Sequence, residues 1–361
     1  MKAKFDQRQN NIDFARIVLA LLVIFSHSYS LACDNELTEP FHLLSHGRIT
    51  GGRIAVDLFF IISGFLIAAS YERSSSAVSY LSKRVARIYP AFIVLALVTL
   101  VVFNPLAHGH VAGATFKDKF ANVVGNTLRL SGWVTEGAFP NNPAPGDMNG
   151  SLWSISHEFW CYIGVLLLGL AGLLRSKVFL ASVFVASLVA SVLFAYFNWH
   201  ISGGILGKIL GYPPFWARLL PMFMAGVVFY RFRESIPLSR MPILVALFGL
   251  VAAFVVPLGY TVLFPIVGTY LVMCFSFAPG IRLHRTNRFG DFSYGTYLYG
   301  FPIQQLILSA FGRPIAPLLL FACAAPATLL VAAMSWYAVE KRFLQATHRK
   351  AKEKPLALEL S

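Results

Sequence analysis

Ten apolar stretches, each near the length that crosses a bilayer, recur along the chain: residues 12–31, 54–71, 88–104, 151–174, 178–197, 215–232, 241–257, 260–278, 292–311 and 315–338. A hydrocarbon core takes about 20 helical residues. Inside it every backbone N–H and C=O must be paired within the protein, which leaves helices or a closed barrel. Runs of this length predict helices. The fold class expected is therefore all-α: a polytopic membrane protein of about ten transmembrane helices in a single bundle. Aliphatic and aromatic residues make up 57% of the chain and charged residues 13%, about half the ~25% usual in soluble domains. No internal repeat divides the sequence, and residues 1–361 read as one membrane domain ending in a charged tail over 339–361.

The formal net charge of +14 would suit a nucleic-acid binder if its cations clustered on one soluble face. They do not. With the N-terminus placed inside and Arg231 counted with the inner loop RFRESIPLSR, 21 of the 30 Lys and Arg fall in inner segments, 7 in outer segments and 2 within spans. That asymmetry is the positive-inside pattern, and it puts both termini in the cytoplasm. The first stretch is read as an uncleaved span, because Asp13 and Arg16 interrupt it and no A-x-A site follows. Cys33, Cys161, Cys274 and Cys323 show no metal-like spacing, so neither a disulfide nor a metal site is expected.

Ionisable groups within spans are costly and mark functional positions. Eleven residues separate Arg16 from His27. At about 100° per residue the two share a helix face, and at about 1.5 Å per residue they lie roughly 16 Å apart along its axis. Asp57, His157 and Glu158 fall, like His27, in the outer half of their spans. Arg53 precedes Asp57 by four residues, so an i, i+4 ion pair explains that carboxylate as well as a catalytic role does. A bond to backbone or hydroxyl explains His157. Glu158 shares a stripe with Ser151 and Ser154 and has no basic neighbour in sequence. It needs a partner from another span or from a ligand.

Lys83, Arg84 and Arg87 stand together before the third span. Two guanidiniums three residues apart suit a phosphate, and inner juxtamembrane cations are also expected on topological grounds alone. The segment 105–150 is long and rich in Gly, Pro and Asn, ending in FPNNPAPGDMNGS. A loop of this length without evident structure is either functional or disordered. Gly64 allows close helix approach. Walker A, GxGxxG, GxSxG and HExxH patterns are absent.

In order, these elements resemble the acyltransferase 3 superfamily of integral-membrane O-acyltransferases, which modify bacterial surface and exported glycans. The matching parts are Arg16-x10-His27, Gly52 through Leu66, Arg84-x-x-Arg87 followed by Ile88-Tyr89-Pro90, Asn149 through Glu158, Ser293 to Leu298, and Trp336 to Glu340. Two departures stand out: His157 precedes the glutamate where many members carry another residue, and Gly300-Phe301-Pro302 lacks a histidine that many members carry before the proline.

The resemblance implies an acyl-CoA donor, most often acetyl-CoA, reached from the cytoplasm. It also implies an acceptor hydroxyl on a glycan or lipid-linked sugar outside, in a bacterial inner membrane. It places the donor near Arg16, Arg84, Arg87 and Tyr89, and the acceptor near Asn149, Ser151 and Trp153. His27 is then the general base, with Glu158 or Asp57 orienting it; Glu158 serves equally as a ligand for acceptor hydroxyls. Ser63, Tyr89, Asn149 and Trp153 are the candidate oxyanion donors. The shape of CoA, an anionic head on a thin arm, fits the roughly 16 Å between Arg16 and His27. Two other readings stand beside this one. One is a secondary transporter with a His27–Glu158 proton relay, for which neither a repeat nor a role for Arg84-x-x-Arg87 is evident. The other is the unrelated membrane-bound O-acyltransferase architecture.

Overall fold

The computed structural model describes residues 10–33, 37–133, 135–199, 201, 203–278, 280–281, 283 and 289–347. Ten long helices carry the chain: α1 (Ile12–Cys33), α2 (Gly51–Glu72), α3 (Ala77–Val98), α4 (Trp153–Leu170), α5 (Lys177–Phe197), α6 (Pro213–Phe232), α7 (Arg240–Val255), α8 (Gly259–Ser276), α9 (Ser293–Phe311) and α10 (Pro317–Ser335). Hydroxyl side chains start several of them. Thr50, Ser76 and Ser176 cap α2, α3 and α5 by accepting from the N–H of Arg53, Ser79 and Phe179, which satisfies donors that the first helical turn leaves unpaired. Among the described residues, six helices are long and apolar enough to cross a membrane. The molecule is an all-α multi-pass bundle. α5, α7 and α10 turn Val185, Val189, Phe248 and Leu330 outward, as helices facing lipid rather than water do.

α2 and α9 form the centre, and nearly every residue of α9 from Ser293 to Gln305 is buried. α2 crosses α6 at Gly64 and Gly226. A Cβ on Gly64 would overlap the Phe223 carbonyl, and one on Gly226 would overlap that of Ile61. Glycines here let two backbones touch, the device that small residues supply in membrane bundles.

Two sequence expectations change. Pro90 is not in a first helical turn: α3 has already begun at Ala77 and holds Pro90 in its interior. The helix runs on through a π-helical segment, Thr99–Phe103, to Leu106. Nor is 105–150 without structure. It contains a helix, Phe116–Leu128, started by a Thr115–Asp118 capping box, and a two-residue strand pair, His110–Val111 against Thr135–Glu136.

The end of that segment is non-helical and partly buried, with Asn142 and Met148 inside and Pro145 to Asp147 exposed. Asn142 donates to the Gln305 side chain at 2.7 Å, Gln305 donates to the Ala144 carbonyl at 2.8 Å, and Asn149 donates to the Leu298 carbonyl at 2.8 Å. These bonds walk from Gln305 back to Leu298, so the segment descends along α9 before α4 begins at Trp153. Irregular backbone at such depth is tolerated where protein groups satisfy it. The N-terminal residues 1–9, the basic residues of 282 and 284–288, the tail 348–361 and the Cys33 side chain lie outside the described residues.

Candidate functional site

The start of α1, the end of α2 and the start of α3 meet at one face of the bundle, here the basic face. Because α3 begins early, Lys83, Arg84 and Arg87 are held on a rigid helix. Lys83 donates to Ser74 at 3.3 Å and Arg84 to Ser70 at 3.3 Å. Neither has a carboxylate partner among the described residues. The Arg84 Nε is buried without any hydrogen-bond partner. Both cations line a cavity of about 160 Å³ together with Arg16, Arg87, Ser63 and Glu158. Glu158 accepts from Ser63 at 2.9 Å and from Tyr162 at 2.6 Å. The cavity, here the slot, is lined by four cations and one carboxylate and suits an anionic head.

Arg16 and Arg87 are less available. Both donate to Asp291, which lies just ahead of α9, and Arg87 also stands 3.8 Å from Glu340. Ser293 donates to the other Asp291 oxygen. Burial opposes ionisation of Asp291, yet Arg16 and Arg87 beside it hold its carboxyl well below the usual carboxylate range. The ion-pair partner of Arg16 is thus Asp291, although Asp13 stands only three residues away in sequence.

At the opposite face, here the loop face, a second cavity of about 330 Å³ is lined by His27, Arg48, Arg53, Ser151, Trp153 and Arg218, among others. His27 owes its position to the close packing of α1 on α9. Gly300 leaves no room for a side chain against Ile24, and Gln304 donates to the Ile24 carbonyl at 2.8 Å and to Ser28 at 2.7 Å. The His27 ring lies edge-on to Phe301, centroids 5.2 Å apart, at the position where the family resemblance noted a missing histidine. The His27 Nδ1 and the Ser151 Oγ are both buried without a hydrogen-bond partner. Two orphaned polar atoms in one wall are what a site awaiting a polar ligand presents.

The cavities share two lining residues, Val56 on α2 and Tyr297 on α9. The Tyr297 hydroxyl donates to the Ser151 carbonyl at 2.7 Å and lies 2.7 Å from Ser154 Oγ. One side chain therefore ties the mid-depth turn before α4 to the centre of the bundle, at the partition between the two spaces.

The structure brings together His27, Ser151 and Trp153 at the loop face, and Arg16, Arg84, Arg87 and Glu158 at the basic face. It does not bring Glu158 to His27; Ser63 and Tyr162 take that carboxylate instead, in the other cavity. Asp57 is fully buried. It accepts from Arg218 at 2.9 Å and from Tyr260 at 2.9 Å, with Arg53 at 4.0 Å. It orients arginines rather than an imidazole. Tyr89 lines neither cavity and donates to the Leu128 carbonyl at 2.9 Å. Asn149 shapes the turn, accepting from the Ser151 N–H at 3.2 Å. His157 donates from Nδ1 to the Trp153 carbonyl at 2.9 Å, a structural bond.

Sequence reasoning gave no role to Arg218 or Tyr297. The signals were present: an arginine inside a span, and the second tyrosine of Ser293 to Leu298. Among the described residues, no three His, Cys, Asp or Glu side chains converge as a metal site would require.

Residues 9–337 match the family described as Acyltransferase domain. An O-acetyl transferase of Shigella phage Sf6 is 29% identical over 348 residues, covering 93% of this chain and 96% of that protein. Nodulation protein 10 of Rhizobium leguminosarum bv. viciae is 24% identical over 361 residues, covering 92% of each. Acyltransferase MdmB of Streptomyces mycarofaciens is 32% identical over 114 residues, 32% of this chain and 27% of that one. No solved structure matches.

Proposed function

The chain belongs to the acyltransferase 3 family of membrane O-acyltransferases, and from that premise we propose that it moves an acetyl group from acetyl-CoA at the basic face to a glycan hydroxyl at the loop face. The observation that carries this reading is the pair of cavities. They open toward opposite faces, differ in lining chemistry, and share Val56 and Tyr297 as a common wall. A donor and an acceptor confined to opposite sides of a membrane need such an arrangement. The residues of the slot fit an acyl-CoA: the orphaned Arg84 Nε and the acid-free Lys83 offer donors to phosphate oxygens. The basic face is the cytoplasmic one in this reading, both termini are cytoplasmic, and the membrane is the bacterial inner membrane.

His27 is the general base. A neutral imidazole nitrogen in the cavity wall can accept a proton from a hydroxyl. His27 takes the proton of the acceptor hydroxyl as that oxygen attacks the thioester carbonyl. The C–O bond forms, the C–S bond breaks, and the thiolate leaves, taking up a proton as CoA. Among the described residues Nδ1 has no carboxylate behind it, so His27 works here without the orienting acid of a triad. Glu158 belongs to the donor slot, where it fixes Ser63 and Tyr162 opposite Arg84. Tyr297 stands at the partition as a positioning residue, its hydroxyl holding the Ser151 carbonyl and Ser154. Trp153 and Ser151 line the acceptor side.

A transporter relay between His27 and Glu158 loses its footing, since the two groups face different cavities. The test is the surface glycan itself. Cells with the gene should carry O-acetyl groups, detected by mass spectrometry, that cells lacking it or carrying His27→Ala do not. Identical glycans in all three would refute the reading.

A further inference from the structure

Cations are scarce on the loop side of this protein: by the positive-inside count only 7 of the 30 Lys and Arg fall there. Two of those, Arg48 and Arg53, line the same cavity, and the in-span Arg218 joins them. Topology explains basic residues on the other face; it gives no reason for these. Among the described residues their acid partners do not balance them. Asp57 is engaged at both oxygens, by Arg218 and Tyr260, and Arg53 approaches it only to 4.0 Å. Glu39, the other buried acid nearby, accepts from the backbone N–H of His42 and Gly51.

Arg53 is the telling member. Its Nε is buried without a hydrogen-bond partner, and its guanidinium lies 5.2 Å over the Tyr260 ring. A buried, unpaired guanidinium N–H costs stability, and two arginines packed around one carboxylate repel each other. Arg48, at the cavity mouth, donates among the described residues only to the Val255 carbonyl at 3.3 Å. A ligand anion with two oxygens removes all three deficits at once, since a guanidinium fork matches carboxylate and phosphate alike.

We propose that the loop-face cavity binds an anionic group of the acceptor, a sugar carboxylate or a phosphate, through Arg53 and Arg48. Arg218, already held by Asp57, stands behind them. The proposal rests on the reading of this cavity as the acceptor site and narrows it: the glycan presents its hydroxyl to His27 while an acidic substituent on the same or a neighbouring unit is held by the arginines. Trp153, with the Arg218 guanidinium 5.6 Å over its ring, lines the same cavity.

The test begins without the donor. Purified protein in detergent is titrated with glucuronate, inorganic phosphate and glucose, and its thermal midpoint is followed. One of the two anions should raise the midpoint where glucose does not. The rise should shrink at least about tenfold in apparent affinity in Arg53→Gln and in Arg48→Gln, and be partly kept in Arg53→Lys. Glucuronate alone active points to a sugar carboxylate; phosphate alone active, with the response lost in Arg53→Gln, points to a phosphate of the acceptor or its carrier. No response to either anion, or one unchanged in Arg48→Gln and Arg53→Gln, overturns the proposal. Arg48 is exposed at the mouth, so its variant reads the site even if Arg53→Gln folds poorly. Failure of acetyl transfer with anion binding intact would instead count against the acyl-transfer reading.

Discussion

At the residue scale, His27 and Arg84 carry the two halves of the account, and they make different predictions. Removing a general base costs about 10²–10⁴-fold in rate. His27→Ala should therefore lower kcat by that order while leaving acetyl-CoA binding in place, as checked by turnover and by donor titration of the same preparation. Arg84→Ala should act the other way, weakening donor binding by about 1.5–3 kcal/mol, the worth of a hydrogen bond to a charged group, with a smaller effect on kcat. Both residues were legible in the sequence because each is an ionisable group at a position where lipid or spacing makes it conspicuous. Glu158 was conspicuous for the same reason, but its partners were not. Ser63 lies 95 residues away, and the sequence offers no measure of which cavity a span's side chain faces. Likewise Arg16 had a visible neighbour in Asp13, and the structure gives it Asp291 instead, 275 residues distant.

At the element scale, the site depends on helix crossings and on one irregular segment. Gly64→Ala would push a methyl group into the Phe223 carbonyl of α6. It should destabilise the protein by about 1–3 kcal/mol, the usual cost of overpacking, seen as a lower thermal midpoint in detergent. Gly164→Ala in α4, where nothing lies within reach of a Cβ, should leave that midpoint nearly unchanged.

The Asp291 latch joins α1, α3 and α9 through charge, and its pH dependence has a definite sign. The folded carboxyl is held below its ordinary value, so its contribution is present above the unfolded pKa of about 4 and is lost as pH falls through the folded value. Asp291→Asn should lower stability by about 1–3 kcal/mol at neutral pH, leaving Arg16 without its carboxylate and Arg87 with Glu340 at 3.8 Å, and should flatten the acid limb of the stability profile.

The helices themselves were readable from apolar run length. The descent of Asn142 to Leu152 along α9 was not, because a Gly-, Pro- and Asn-rich stretch looks the same whether it lies in solvent or is buried against Gln305 and Leu298. The same gap put Pro90 in a first turn: amphipathic residues from Ala77 onward extend α3 beyond its apolar part.

At the scale of the whole molecule, two cation-lined spaces approach each other across one partition. Val56→Trp fills that partition. It should keep donor binding and anion binding at the two faces yet lower transfer by an order of magnitude or more, whereas loss of donor binding in this variant would mean that the wall is not a wall.

The most direct measurement separates the substrates by the membrane itself. The protein is reconstituted into sealed proteoliposomes of known orientation, with acetyl-CoA supplied only on the basic face and the glycan acceptor only on the loop face. Acetylated acceptor on the loop side, absent with His27→Ala, is the predicted result. Acetylation only when both substrates share one compartment would contradict it.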